Sequence, residues 1–172
     1  SAAASDPPRG SVSPSAAIAR PSLIDEIASK VSVDRKRVFL AGHSNGGFMS
    51  HRFACDAADE LAAFLAVAGV GFADPEDCNP SSPVSMVQSH GVDDAVILYE
   101  GGDLGVPFGR TGYFYPSAEE TVAQWAAHGG CAGQLIADAA PLDLLADDVG
   151  AETTRFRYAG CPSGVGVELW RH

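Results

Sequence analysis

Residues 37–50 read Arg-Val-Phe-Leu-Ala-Gly-His-Ser-Asn-Gly-Gly-Phe-Met-Ser, and this stretch decides the fold. The pattern predicts a short apolar strand, a Gly-x-Ser-x-Gly turn and the start of a helix, which is the setting of a nucleophile elbow. We therefore predict that Ser44 is a catalytic nucleophile, and that the backbone N–H of Asn45 faces the developing oxyanion. We also expect that a Cβ at Gly42 or Gly46 would collide with the neighbouring turn. The alternative is an ordinary glycine-rich turn between a strand and a helix.

Strands and helices alternate along the rest of the chain. Helices are predicted near residues 22–30, 46–58 and 117–128, and strands at 38–41, 61–69, 84–89, 153–158 and 165–170. The third helix opens with a Ser-x-x-Glu capping box from Ser117 to Glu120, and Gly129 and Gly130 stop it. About five strands are predicted, the last two as an antiparallel pair. The order indicates an α/β fold with a mainly parallel sheet and helices on both of its faces.

Composition favours one globular domain. The chain has 172 residues, of which 46% are hydrophobic and 19% are charged. We place a domain at residues 22–172, after a flexible arm rich in Pro, Ser and Ala at residues 1–21. The net charge of −11 argues against non-specific binding to nucleic acid or to anionic membranes. No apolar run reaches the roughly 18 residues of a membrane span, and no signal peptide is visible.

Four cysteines are present, and none of them forms a Cys-x-x-Cys pair or has a histidine at zinc-ligand spacing. Three pairings are open, besides four free thiols. We favour pairing of nearest neighbours, Cys55 with Cys78 and Cys131 with Cys161. Two disulfides would indicate a secreted, extracellular protein whose signal peptide is not in this chain.

A catalytic serine needs a base, and the base needs an orienting carboxylate. In α/β-hydrolases the chain order is serine, acid, histidine. Asp93 and Asp94 follow the predicted strand at residues 84–89, at the end of the sheet where catalytic groups gather. We favour Asp94 as the acid; the alternative for either residue is a solvated turn aspartate.

Five histidines are candidates for the base. We expect His43 to pack inside the elbow, His51 to lie on a helix surface and His90 to pack at a strand end. His128 falls in the last turn of a helix, where a cation suits the dipole. His172 follows the last strand, where the base belongs, and is therefore our candidate.

Several segments resemble one family in order along the chain: residues 23–27, 33–38, 42–55, 90–102, 117–131 and 158–161. Residues 42–49 read Gly-His-Ser-Asn-Gly-Gly-Phe-Met, and residues 90–102 resemble a His-Gly-x-x-Asp-x-x-Val-Pro-Tyr-x-Gly-Gly segment whose acid falls on Asp94. The family is that of the polyhydroxybutyrate depolymerase-like esterases, which are related to secreted feruloyl and acetylxylan esterases. The resemblance implies an α/β-hydrolase fold and serine-dependent ester hydrolysis.

The chain also departs from that family at both ends. The family begins with further strands and a His-Gly-type loop that supplies a second oxyanion N–H, and nothing before residue 22 matches them. Its catalytic histidine lies in a Gly-Gly-x-His segment a few residues after the last strand, whereas this chain stops at His172. The resemblance therefore implies a chain truncated at both ends that lacks the N-terminal strands.

Two functions from different classes follow. The first is a serine esterase that cleaves polyester (hydroxyalkanoate) or plant-wall (feruloyl or acetyl) esters through an acyl-Ser44 intermediate, without a metal or organic cofactor. The second is a catalytically dead remnant that acts as a binding or structural domain. A truncated sheet would expose an edge strand, so we also expect self-association through that edge.

Overall fold

The computed structural model describes residues 22–105, 112–144 and 149–172. These described residues divide into two compact units, those up to Asp34 and those from Arg35 onward. The described part of the first unit contains one helix, Ser22–Ala28 (α1), where the sequence predicts one. The arm predicted at residues 1–21 lies outside the described residues, and the domain boundaries stay a prediction.

The second unit is built on a six-stranded sheet with two helices. Eight strands occur in its described residues: Phe39–His43 (β1), Ala63–Val67 (β2), Ser85–His90 (β3), Gly102–Asp103 (β4), Phe114–Tyr115 (β5), Leu135–Ala137 (β6), Thr154–Tyr158 (β7) and Val167–Arg171 (β8). The two helices are Asn45–Asp56 (α2) and Ala118–His128 (α3). Single turns of 3₁₀ helix lie at Arg35–Arg37, Ala58–Glu60 and Pro75–Asp77.

The main sheet has the order β1-β2-β3-β8-β7-β6. The strands from β1 to β8 along this order are parallel, and β7 and β6 continue the sheet antiparallel. This confirms an α/β fold with a mainly parallel sheet and the antiparallel pair at the end of the chain. The expected number of strands was too low, because β4, β5 and β6 are only two or three residues long. No alternation can be detected over so short a run.

The core lies between the sheet and the two helices. α2 packs against β1 and β2, and α3 packs against β3 and β8. The ring of Phe64 on β2 lies 5.2 Å from the ring of His51 on α2 and 4.8 Å from that of Trp125 on α3. Both helices therefore cover the same face of the sheet. Helices on both faces stay a prediction, because the two helices of this unit lie on one face.

Local signals in the sequence set the ends of α3. The Ser117 hydroxyl accepts a hydrogen bond from the Glu120 N–H, and the Glu120 carboxylate accepts one from the Ser117 N–H. This is the predicted capping box. The helix ends at His128, directly before the two glycines.

Two disulfides close the unit, and both pairings are the predicted ones. Cys55 near the end of α2 is bonded to Cys78 in the loop after β2. Cys131, just after α3, is bonded to Cys161 in the turn between β7 and β8. None of the helices in the described ranges is long and apolar enough to cross a membrane.

β1 forms one edge of the sheet within the described residues. Its Phe39 side chain is 67% exposed. An edge strand with an exposed aromatic side chain is a template for pairing with another strand. Self-association through this edge stays a prediction.

Candidate active site

Ser44 lies between β1 and α2 in a backbone conformation that few non-glycine residues adopt. Its dihedral angles are φ 53° and ψ −120°. A serine just before a helix normally has extended angles and caps the helix with its hydroxyl. Ser44 makes no such side-chain cap bond. The hydroxyl is therefore left available, at a cost in backbone strain of about 1–3 kcal/mol.

Close packing of glycines holds this strained turn in place. A Cβ built on Gly42 would lie 2.1 Å from the carbonyl oxygen of Gly46. A Cβ on Gly69, just after β2, would lie 2.5 Å from the carbonyl oxygen of Ser44. The prediction for Gly42 is confirmed. The prediction for Gly46 is wrong, because nothing lies within 4 Å of a Cβ at that position. The second glycine that the turn needs is Gly69, which follows a different strand, β2.

One backbone hydrogen bond joins the elbow to β2, and one backbone N–H at the start of α2 has no acceptor within the helix. The Ser44 N–H donates to the Val67 carbonyl oxygen at 2.8 Å. Asn45 is the first residue of α2, so its N–H has no acceptor within the helix. That N–H lies at the positive end of the helix dipole, beside the nucleophile candidate. A second strained residue, Ala68 with φ 49°, lies next to the elbow and has no signal in the sequence.

Asp94 lies in the loop after β3 (residues 91–97, here called the acid loop). Its Oδ1 accepts hydrogen bonds from the N–H groups of Val96 at 2.9 Å and Ile97 at 3.0 Å. Its side chain is 20% exposed, whereas Asp93 is exposed. One carboxylate oxygen of Asp94 is thus fixed by the backbone. Its Oδ2 lies 3.8 Å from Nε2 of His90, too far for a hydrogen bond.

His172 follows β8 and lies against the start of the acid loop. Its N–H donates to the His90 carbonyl oxygen at 3.2 Å, and its carbonyl oxygen accepts from the Val92 N–H at 2.7 Å. A Cβ built on Gly91 would lie 3.8 Å from Nε2 of His172. The structure therefore brings His172 to the acid loop.

Ser44 follows β1, which does not neighbour β3 or β8 in the sheet. The elbow follows β1 and the acid loop follows β3, so one strand separates them, a distance of about 10 Å between strand axes. In the described part of the chain, no hydrogen bond joins the Ser44 hydroxyl, the Asp94 carboxylate and an imidazole. The three candidates share the carboxyl-terminal edge of the parallel strands but do not form a connected triad.

The environments of the other four histidines agree only in part with those predicted from the sequence. His90 is completely buried at the end of β3, as predicted. The prediction that His51 lies on a helix surface is wrong, since it is 1% exposed and burial lowers its pKa to about 4. His43 is exposed rather than packed. Partial burial lowers the pKa of His128 at the end of α3, which disfavours the expected cation.

A buried polar chain lies beneath this edge of the sheet and was not predicted. Its four side chains are each 1% exposed or less: Trp125, His51, Gln88 and His90. Gln88 gives no signal in the sequence because nothing local marks a mid-strand glutamine as buried. Among the described residues, no group of three or more His, Cys, Asp or Glu side chains could hold a metal ion.

Comparison with known proteins finds sequence similarity to proteins named as esterases. No family model matches the chain. Feruloyl esterase B of Piromyces equi is 36% identical over 114 residues, which cover 64% of this chain and 21% of that protein. A protein named "Probable feruloyl esterase C" of Aspergillus niger is 30% identical over 80 residues, 46% of this chain and 29% of that protein.

A third relative is the bifunctional acetylxylan esterase/xylanase of Neocallimastix patriciarum. It is 27% identical over 99 residues, 58% of this chain and 14% of that protein. The matched segments thus span less than a third of each of these relatives. The names of all three relatives include the word esterase, and the comparisons support an esterase family for this chain.

Proposed function

We propose that this chain carries the nucleophile and the acid of a serine esterase that hydrolyses carboxylic esters of the plant cell wall. The observation that carries the proposal is the conformation of Ser44, with φ 53° and ψ −120° and a hydroxyl that does not cap α2. Strain of this kind persists only where the surrounding structure enforces it, and it is typical of active sites. The names of the relatives support the ester class.

In this mechanism the Ser44 oxygen attacks the ester carbonyl carbon while a histidine takes the hydroxyl proton. The carbonyl oxygen becomes an oxyanion, which accepts a hydrogen bond from the Asn45 N–H. Collapse of the intermediate expels the alcohol, which receives the proton from the imidazole, and leaves an acyl-Ser44 ester. Water then attacks the acyl group by the same steps and releases the acid. The Asp94 carboxylate orients the imidazole and stabilises its charged form.

The roles of Asp94 and His172 belong to the proposal. Asp94 is favoured over Asp93 because two backbone N–H groups fix its Oδ1 and leave Oδ2 for an imidazole. His172 is favoured as the base because it follows β8 and lies beside Gly91 of the acid loop. No step of this chemistry requires a metal or an organic cofactor. The two disulfides support an extracellular site of action.

The substrate is proposed from the relatives. Feruloyl and acetyl esters are the first choice because the similar proteins are named feruloyl and acetylxylan esterases. Hydroxyalkanoate polyesters are the second choice, supported only by the family resemblance of the sequence. Rates on methyl ferulate, on nitrophenyl acetate and on a hydroxybutyrate oligomer would rank the three classes.

A non-catalytic binding domain is a second candidate function, favoured by one observation. In the described ranges no imidazole makes a hydrogen bond to Asp94 or to the Ser44 hydroxyl. Loss of a triad base lowers turnover by orders of magnitude, up to about 10⁶. On this reading the fold would persist without turnover.

Hydrolysis of a short-chain nitrophenyl ester by the wild-type chain and by Ser44→Ala separates the two functions. If the chain is a serine esterase, Ser44→Ala should lower the turnover at least about 10³-fold. The matched control is Ser163→Ala, at an exposed turn serine, which should keep full activity. His172→Ala then tests the base. Equal rates in wild type and Ser44→Ala, or a Ser44 that a fluorophosphonate does not label, would contradict the proposal.

A further inference from the structure

The buried polar side chains beneath the candidate site form one continuous chain of hydrogen bonds. Trp125 Nε1 lies 2.9 Å from His51 Nδ1, and His51 Nε2 lies 3.1 Å from Gln88 Oε1. Gln88 Nε2 lies 2.9 Å from the Gly69 carbonyl oxygen and 3.3 Å from His90 Nδ1. His90 Nε2 lies 2.8 Å from the Ile97 carbonyl oxygen. This chain of hydrogen bonds connects α3, α2 and β3 with the acid loop.

The chemistry of its members fixes the direction of every bond. An indole N–H can only donate, so His51 Nδ1 accepts and its Nε2–H donates to the Gln88 carbonyl oxygen. The Gln88 amide then donates its two protons to the Gly69 oxygen and to His90 Nδ1. His90 Nε2–H is left to donate to the Ile97 oxygen. One tautomer at each histidine satisfies all of the buried donors, and the neutral His51 that this requires agrees with its lowered pKa.

Gln88 is the branch point between the two halves of the candidate site. One proton of its amide holds Gly69, the residue whose backbone packs against the Ser44 carbonyl oxygen. The other holds His90, which in turn holds Ile97. The Ile97 N–H donates to Oδ1 of Asp94. A single side-chain amide is therefore linked to the nucleophile on one side and to the acid on the other.

A role in stability alone does not explain this arrangement. Apolar side chains of similar volume usually stabilise a core as well as a buried polar chain does, because polar groups lose their hydration on burial. The neighbouring buried positions on the same strand face and its partners are apolar: Met86, Phe64 and Leu169. On this buried face of β3 the polar side chains, Gln88 and His90, lie toward the end of the strand that leads into the acid loop.

We propose that Gln88 is a positioning residue that fixes the spacing between the Ser44 elbow and the Asp94 loop. It acts through Gly69 and through the His90–Ile97 contact and does not touch the substrate. This inference rests on the proposed function, since the spacing matters for catalysis only if Ser44 and Asp94 act together. Its structural part, the control of the acid loop by Gln88, can be measured without activity.

The main test compares Gln88→Met with Met86→Ala. The first keeps the volume and removes the branch point. The second creates a cavity two residues away on the same face of β3 and leaves the polar chain intact. At a temperature where both variants are folded, Gln88→Met should lower kcat about ten- to a hundredfold and leave KM within about twofold, because misplacement of reacting groups affects the transition state. Met86→Ala should keep kcat.

Amide hydrogen exchange gives a second readout that does not depend on turnover. The quantity to measure is the exchange rate of the Ile97 N–H divided by that of the Val87 N–H in β3. This ratio should rise about tenfold in Gln88→Met and stay unchanged in Met86→Ala. Equal ratios in the two variants would overturn the inference. If the wild-type chain shows no Ser44-dependent turnover, the proposed function fails, but this ratio still decides the positioning role.

Two further measurements test the inference if Gln88→Met does not fold. Gln88→Glu has the same shape as the natural residue and lacks the amide donor, so it should shift the Ile97 ratio in the same direction. In the wild-type chain, ¹⁵N spectra should show His51 neutral, and a proton on Nε2 rather than Nδ1 at both His51 and His90. The Nδ1–H tautomer at His90 would remove the bond from Gln88 and contradict the proposal.

Discussion

The elbow and the acid loop lie at the same edge of the sheet but are held in opposite ways. The elbow is strained: Ser44 has φ 53°, and Gly42 and Gly69 are packed in the turn with no room for a Cβ. The acid loop contains no non-glycine residue with positive φ, and it is fixed by two hydrogen bonds that the Asp94 carboxylate accepts and one that His90 donates. The elbow should therefore be sensitive to added volume, and the acid loop to lost hydrogen bonds. The following predictions test that contrast, from the largest expected effect to the smallest.

Gly42→Ala should cause the largest loss of stability. The new Cβ would lie 2.1 Å from a backbone oxygen that cannot move without opening the start of α2. We expect the free energy of unfolding to fall by at least about 3 kcal/mol. Urea unfolding measures the change. Gly46→Ala is the matched control, because it meets no atom within 4 Å and should change stability by less than about 1 kcal/mol. Equal losses in the two variants would contradict the packing argument.

The Cys55–Cys78 disulfide should contribute to stability without shaping the elbow. The bridge spans 23 residues and holds the end of α2 that is far from Ser44. The double variant Cys55→Ser with Cys78→Ser should lose about 3–4 kcal/mol of unfolding free energy. Labelling of Ser44 by a fluorophosphonate in the folded variant should keep its wild-type rate. A large fall in that rate would mean that the elbow needs the disulfide as well as the glycines.

Lowering the pH should reduce the free energy of unfolding, because His51 is buried and burial lowers its pKa. Its folded pKa is lowered to about 4, so between the ordinary value of 6.5 and 4 the unfolded chain takes up a proton that the folded chain does not. The stability present above about pH 6.5 should decline as the pH falls toward 4, by up to about 3 kcal/mol. Urea midpoints over this range measure the loss. His43→Gln, which removes an exposed histidine, should leave the slope unchanged, whereas His51→Gln should flatten it.

Asp94 should show the smallest effect on stability and a large one on turnover. Asp94→Ala removes the acceptor of two backbone N–H groups and should cost about 1–2 kcal/mol. Asp94→Asn keeps an oxygen at that position and should cost less, while still losing activity if Asp94 is the acid. Asp93→Ala is the control for both. An Asp93 variant that loses more turnover than the Asp94 variants would reassign the acid.

The parts of the fold that the sequence predicts are the local ones. The strand, turn and helix around Ser44 follow each other without a gap, and the capping box of α3 involves residues only three apart. The short strands β4 to β6 could not be found because two or three residues carry no periodicity. They exist because of pairing with distant partners, as β6 pairs with β7.

The candidate site likewise has residues that the local sequence predicts and residues that depend on distant pairing. Ser44, Asn45 and Asp94 can be proposed from their place after a strand. The need for Gly69 and the burial of His51 and Gln88 depend on which residues of β2, β3 and α3 face each other. Phe64 pairs with Met86, and Gln88 with Leu169, so that register places the polar chain beneath the two loops. Nothing in a single strand determines such a register.

The position of β8 has a consequence for the way the chain assembles. β8 lies between β3 and β7, although β3 ends at His90 and β8 starts only at Val167. Until the last of these strands arrives, β3 offers an open parallel edge. Pairing across so long a separation in sequence is slow, because the entropy of closing the loop must be overcome first. The acid loop and His172 can meet only in that late step, so the nucleophile elbow is expected to form before the rest of the site. Pulse-labelling hydrogen exchange during refolding would reveal this order, with amides of β1 and β2 protected before those of β8.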